Sequence, residues 1–199
     1  MAAIKVVAFD IGGVYFRWTH GKYLRALRGK TGVGITKLRG ADRNHLRELH
    51  VGTITENDYW NEFCKSIEKK VPHAELHKVI DKNLFAVNKS VVTLVRRLRK
   101  NHKTALLANQ TPVLDRLDKK WGVYKDFDYN LSSHIVKLQK PDPAIFKLLL
   151  RKARVKPSEA LFVDDQQKNI DAAKKLGIDA VLYRNARQLG KELRERKLL

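Results

Sequence analysis

Four short stretches carry residue types that could do phosphoryl chemistry if the fold brought them together. Asp10 closes Val6-Val7-Ala8-Phe9 and is followed by Ile11-Gly12-Gly13-Val14. Asn109 follows Leu106-Leu107-Ala108 and precedes Gln110-Thr111. Lys140 opens Lys140-Pro141-Asp142-Pro143, and Asp164-Asp165 closes Leu161-Phe162-Val163. Three carboxylates and one amine at a common edge can hold a hard cation such as Mg²⁺ beside a phosphoryl group. Gly12 and Gly13 let the chain leave sharply and approach a ligand closely. Each piece also has a plain structural reading: an Asp as a helix cap, a Lys before Pro as a solvated side chain, an acid pair as turn residues. Adjacent acids ending an apolar run fit that reading least well, because they repel unless a cation is near.

The elements that must position these residues are legible in the hydrophobic pattern. Short apolar runs at 6–9, 104–108, 160–163 and 180–183 read as buried strands, with a weaker one at 127–131. Amphipathic stretches at 90–100, 142–153 and 167–176 read as helices, the last stopped by Gly177. Strands alternating with helices predict an α/β fold, a doubly wound, Rossmann-like parallel sheet covered on both faces. Residues 16–88 differ. They show helix patterns around 21–29, 41–50, 55–69 and 73–82 and no convincing strand, with Thr55 as an N-cap. The division expected is a core of 1–15 and 89–199 with a small all-helical cap, 16–88, over the carboxyl ends of the strands, where such folds bind ligands.

In order and spacing, these motifs resemble the haloacid dehalogenase (HAD) superfamily, in its branch with a helical cap after the first motif. The resemblance rests on the Phe9-Asp10-Ile11-Gly12-Gly13 start, on Leu138-Gln139-Lys140-Pro141-Asp142-Pro143-Ala144-Ile145-Phe146, on Ala160 to Asp165, and on Asn169 and Ala172-Ala173. It implies that Asp10 is a nucleophile forming an aspartyl-phosphate. It implies Mg²⁺ held by Asp10, the Gly12 carbonyl and Asp165, with Asp164 behind them or as an alternative ligand. Lys140 would neutralise the phosphoryl charge. Gly13, Ala108 and Asn109 would lie along the phosphoryl group, Asn109 partly through its backbone N–H. Asn169 is read as packing the helix start.

Two positions depart from that pattern. The family's phosphatases usually carry a second Asp two residues after the nucleophile, as the acid for the leaving group; here it is Gly12. A motif Ser or Thr that would bond the phosphate is Ala108. Proton transfer from a placed group is worth ~10²–10⁴-fold, so the first departure bears on rate and substrate class. Tyr15 and His20 are alternative proton sources, and Thr111 an alternative hydroxyl, although each is also read as packing or capping. The acid pair favours a metal and phosphoryl transfer over dehalogenation. The expected activity is a Mg²⁺-dependent phosphatase of a small phosphorylated metabolite. The alternative is a weak or silent HAD-fold binding protein associated with nucleic acid.

Gly12 and Ala108 motivate the loss of activity in that alternative, and composition supplies its nucleic-acid part. The 199 residues hold 41 Lys+Arg against 21 Asp+Glu, a net charge of +20. Residues 16–47 concentrate it, with nine basic side chains against Asp42 alone. Such a charge can bind nucleic acid or steer anionic substrates, yet no zinc pattern, helix-turn-helix or aromatic RNA-binding motif accompanies it. Trp60 reads as core. One cysteine, Cys64, rules out an internal disulfide. The absence of a long apolar run argues against a membrane span. The Met1–Asp10 stretch reads as a strand rather than a leader, and a cytoplasmic location is the expectation. Oligomeric state is not legible.

Overall fold

The computed structural model describes residues 3–199. Met1 and Ala2, the first residues of the expected core and strand stretch, lie outside the described residues. The chain runs β1 (Val6–Phe9), β2 (Phe16–Trp18), α1 (His20–Thr31), α2 (Ile35–Arg43), α3 (Leu46–Val51), α4 (Glu56–Ser66), α5 (His73–Asn83), β3 (Phe85–Val87) and α6 (Lys89–Leu98). It continues through β4 (Lys103–Ala108), α7 (Val113–Trp121), β5 (Tyr129–Ser132), α8 (Ser133–Val136), α9 (Pro143–Ala153), β6 (Ala160–Asp164), α10 (Gln167–Lys175), β7 (Asp179–Leu182) and α11 (Ala186–Glu195).

The five expected strands form one parallel sheet in the order β5-β4-β1-β6-β7. Period-two alternation sorts β1 between the two faces. Val7 and Phe9 join an apolar cluster with Val91, Val95, Leu114 and Leu193, on the side of α6, α7 and α11. Val6 and Ala8 join Ile145, Leu149, Ile170 and Ala173, on the side of α9 and α10. The chain builds outward from β1 through β4 to β5, then returns to the other side of β1 for β6 and β7. That reversal makes the carboxyl ends of β1 and β6 the switch point of the sheet, where doubly wound folds leave an open crevice. Asp10 and Asp164-Asp165 stand there.

Residues 16–88 are mostly helical, with a third apolar core of their own that includes Tyr23, Leu27, Leu38, Trp60, Phe63 and Leu76. Thr55 and Asp58 cap α4 reciprocally. Two expectations are corrected. The segment is not wholly helical: β2 and β3 pair antiparallel at its two ends, Phe16 opposite Val87 and Trp18 opposite Phe85. Three-residue strands are too short to show a period. The expected 41–50 helix is two, α2 and α3, broken at Asn44-His45, where His45 takes a left-handed conformation (φ 57°).

The segment is fastened to the sheet by polar contacts. Arg116 on α7 reaches Glu56 on α4 at 2.7 Å and Asp81 on α5 at 3.1 Å. Lys137 Nζ donates to the Gly52 carbonyl at 3.0 Å. Asn88 at the returning end donates to the Val14 carbonyl and to Tyr183 Oη. No helix among the described residues is long and apolar enough to cross a membrane.

Candidate active site

Lys140 is the hub of the switch point. Its buried ammonium donates to Asp10 Oδ1 at 2.7 Å and to Asp164 Oδ2 at 2.6 Å. Burial alone would pull the Lys140 pKa down; the charges of Asp10 and Asp164 outweigh it, and the amine is held above its usual range. Asp164 is fully buried and tied on both oxygens, accepting also from the Gln166 N–H at 2.8 Å and from Asn169 Nδ2 at 3.0 Å to each oxygen. Asn169 thus braces Asp164, a more specific role than packing a helix start.

Asp165 is different. Its Oδ1 is buried with no hydrogen-bond partner. Oxygens of Asp10, Asp164 and Asp165 lie within 4.8 Å of one another. Burial, joined by the neighbouring acids, pushes the Asp10 carboxyl up to about 7 against the pull of Lys140. Burial and then the Asp164 charge push Asp165 upward too. Three acids share one ammonium, which leaves this buried site short of positive charge. An orphaned carboxylate oxygen beside two further carboxylates is the donor set a divalent oxygen-seeking cation takes.

The glycines are there for space. Gly13 adopts φ 90°, and a Cβ on it would lie 2.0 Å from Asp165 Oδ2. A Cβ on Gly12 would fall 2.2 Å from the Trp18 ring. The volume that an acid at position 12 would fill is therefore occupied by the indole of β2.

The remaining expected residues are placed as follows. Asn109 does not turn its carboxamide to the crevice but binds the main chain of Lys140, donating to its carbonyl and accepting its N–H, both at 2.8 Å. Ala108 has its methyl buried in the apolar core, so only its backbone is left for a phosphoryl group. Thr111 accepts the Val113 N–H at the start of α7, as a cap does. Tyr15 is buried and donates to Asp126 Oδ2 at 2.7 Å, which removes it as a proton source.

A cavity of about 510 Å³ opens over Asp10, Gly12, Asn109 and Lys140. Its wall is completed by Trp18, Arg47, His50, Gln139 and Lys168, none of them expected as a site residue. Of the nine basic residues in 16–47, Arg47 is the one that lines it. Burial, helped by His134, drives the His50 pKa down to about 4, so this imidazole is neutral near pH 7. His20, the other expected proton source, does not line this cavity, and only its place after the first motif could have marked Trp18.

The chain and its fold resemble known proteins. The chain is 26% identical over 205 residues to a D-ribitol-5-phosphate phosphatase of Bacteroides thetaiotaomicron, spanning 96% of this chain and 97% of that one. It is 30% identical over 170 residues to mouse acyl-CoA dehydrogenase family member 10, but spans only 15% of that protein. Its fold matches a HAD family enzyme of B. thetaiotaomicron solved with magnesium and inorganic phosphate (TM-score 0.82, 21% identity, 92% and 96% of the two chains). It also matches an L-2-haloacid dehalogenase, less closely (TM-score 0.68, 22% identity, 90% and 86%). The model of the haloacid dehalogenase-like hydrolase family matches residues 4–177, a span that runs from β1 past the acid pair, and the chain belongs to that family.

Proposed function

We propose that this hydrolase is a Mg²⁺-dependent phosphatase of a small phosphorylated metabolite, with residues 1–15 and 89–199 as its core and 16–88 as its cap. The observation that carries the reading is the Lys140 ammonium bound to both Asp10 and Asp164 beside the unpartnered Asp165 oxygen. Asp10, Asp165 and the Gly12 carbonyl would hold the cation, with Asp164 behind them. When bound, Mg²⁺ supplies charge that offsets the phosphoryl oxygens. The phosphatase relative, and the fold neighbour solved with magnesium and phosphate, agree with this choice over dehalogenation.

Asp10 attacks phosphorus; an O–P bond forms to its carboxylate as the bond to the leaving oxygen breaks. Lys140 fixes the attacking carboxylate and balances the developing charge. Gly13 and the backbone at Ala108 and Asn109 lie along the phosphoryl group. Water then cleaves the aspartyl-phosphate, releasing phosphate and regenerating Asp10. No side chain at position 12 protonates the leaving oxygen, and neutral His50 is a poor acid, so the proton comes from solvent. Esters whose leaving groups depart readily are the better substrates.

The test is phosphate release from an aryl phosphate with Mg²⁺. Release that vanishes on chelation and in Asp10→Asn supports the reading, and equal turnover by the variant overturns the nucleophile. A second reading, a near-silent hydrolase that keeps the metal site, is favoured by Trp18 filling the acid's place; Mg²⁺ binding without turnover of a broad phosphoester panel would establish it.

A further inference from the structure

Beside the main cavity lies a smaller one of about 200 Å³, between α1–α5, the β2–β3 ribbon and the turn that leads from β4 into α7. Trp18, Leu46 and His50 line both, so the two spaces adjoin at these side chains. At roughly 30 Å³ per water, the inner one holds the equivalent of about six waters. That is room for a short substituent.

Its chemistry runs against that of the whole protein. In a chain of net charge +20, no Lys or Arg lines this cavity. Its walls are aromatic, with Trp18, Tyr23, Tyr59, Trp60 and Phe85, and its acids are Asp42 and Glu56. Glu56 is already paired with Arg116. Asp42 forms an ion pair with no cation: the Tyr23 hydroxyl donates to its Oδ1 at 2.6 Å, the Tyr59 hydroxyl donates to its main-chain carbonyl at 2.7 Å with Oδ1 further off at 3.1 Å, and Oδ2 accepts no hydrogen bond among the described residues. Burial holds this carboxyl above its usual range against the hydroxyls of Tyr23 and Tyr59 and the charges of His20 and Arg43, neither of which is close enough to form an ion pair with it. Trp60, also in the wall, is fully buried with its indole N–H unpartnered. The Asp42 oxygen left open in one small aromatic chamber marks it as a space for a donor group, while the Trp60 N–H, itself a donor, is left to water or to an acceptor. Aromatic side chains around a carboxylate that has no ion-pair partner are the surroundings that bind ammonium groups.

We propose that this chamber is a subsite for an ammonium group carried by the leaving group, which makes the substrate class phosphate esters of amino alcohols. The inference rests on the phosphatase reading for the phosphoryl end only; the chamber would bind an ammonium whether or not Asp10 turns over. The phosphoryl group meets Asp10 and Lys140, the linking carbons pass Trp18 and Leu46, and the ammonium reaches Asp42.

The test has two arms on the wild-type chain, so no variant need fold. In the first, hydrolysis of ω-aminoalkyl phosphates is compared with that of alkyl phosphates of matching length, with Mg²⁺ present. At one length at least, kcat/KM should favour the amine by about tenfold or more. In the second, tryptophan fluorescence is followed during titration with tetramethylammonium chloride, against sodium chloride at the same ionic strength and against tert-butanol. Saturable quenching by the ammonium alone is expected, since Trp18 and Trp60 line the chamber. Quenching without hydrolysis of any ester would keep the subsite and remove the phosphatase reading. Equal hydrolysis of both ester series, or quenching by tert-butanol as strong as by the ammonium, overturns the subsite. In Asp42→Asn the amine preference should fall toward unity.

Discussion

Asn109 grips Lys140 by the main chain rather than by its charge. Its carboxamide accepts the Lys140 N–H and donates to the Lys140 carbonyl, both at 2.8 Å, and so fixes the base of the side chain whose ammonium joins Asp10 to Asp164. A residue whose backbone is expected along the phosphoryl group thus uses its side chain to aim the lysine. Asn109→Ala is expected to cost about 1–3 kcal/mol of stability by leaving these groups unpaired and to lower kcat by roughly tenfold or more as the ammonium loses register. Urea denaturation and steady-state phosphate release measure the two effects; an unchanged kcat would mean that the lysine aims itself.

The two adjacent acids should behave oppositely. Asp164 is bound by Lys140, Asn169 and the Gln166 N–H, so Asp164→Ala should destabilise the chain by about 3–5 kcal/mol, as loss of one partner of a buried ion pair does. Asp165 has an unpartnered oxygen and like charges nearby, so Asp165→Asn should leave metal-free stability unchanged or raised. It should abolish the increase in Tm that Mg²⁺ gives the wild type. Calorimetry with and without Mg²⁺ separates these outcomes.

Gly12 and Trp18 form one steric unit. Gly12→Asp, which restores the acid of related phosphatases, should cost about 1–3 kcal/mol through overpacking against the indole. Adding Trp18→Ala should recover most of that loss, giving a coupling of about 1 kcal/mol or more in a double-mutant cycle. Additive effects would show that the ring moves aside freely.

His50 gives the fold an acid-sensitive point. Its folded pKa, about 4, lies below the ordinary value of 6.5 because burial disfavours the charged ring. Between those values the unfolded chain binds the proton and the folded chain does not, so stability from this group is full above pH 6.5 and is lost as pH falls toward 4. The loss is up to about 3 kcal/mol. Tm measured across this window should fall less steeply in His50→Gln than in the wild type.

What the sequence disclosed and what it withheld divide by the range of the forces involved. The strand around Phe9, the helix after Pro143 and the acids ending β1 and β6 follow from local patterning, and parallel pairing then carries those acids to one crevice. The grip of Asn109 on Lys140 spans 31 positions and that of Arg116 on Glu56 spans 60; neither leaves a periodic trace. The break between α2 and α3 depends on one left-handed residue, His45, which helix propensity does not foretell. Trp18 is one aromatic in a three-residue strand, and its importance came from the emptiness of position 12 beneath it.

The ribbon of β2 and β3 is the covalent bridge between the sheet and the helices, placed where a fulcrum would be. Both chain crossings between the sheet and the helices of 16–88 run through it side by side, Trp18 against Phe85. A lever turning on that fulcrum would carry Trp18 with it, because the indole belongs to the ribbon itself. Any tilt of the helices would therefore reshape the wall above Gly12 in the same step, and the ring that shuts out an acid would register it.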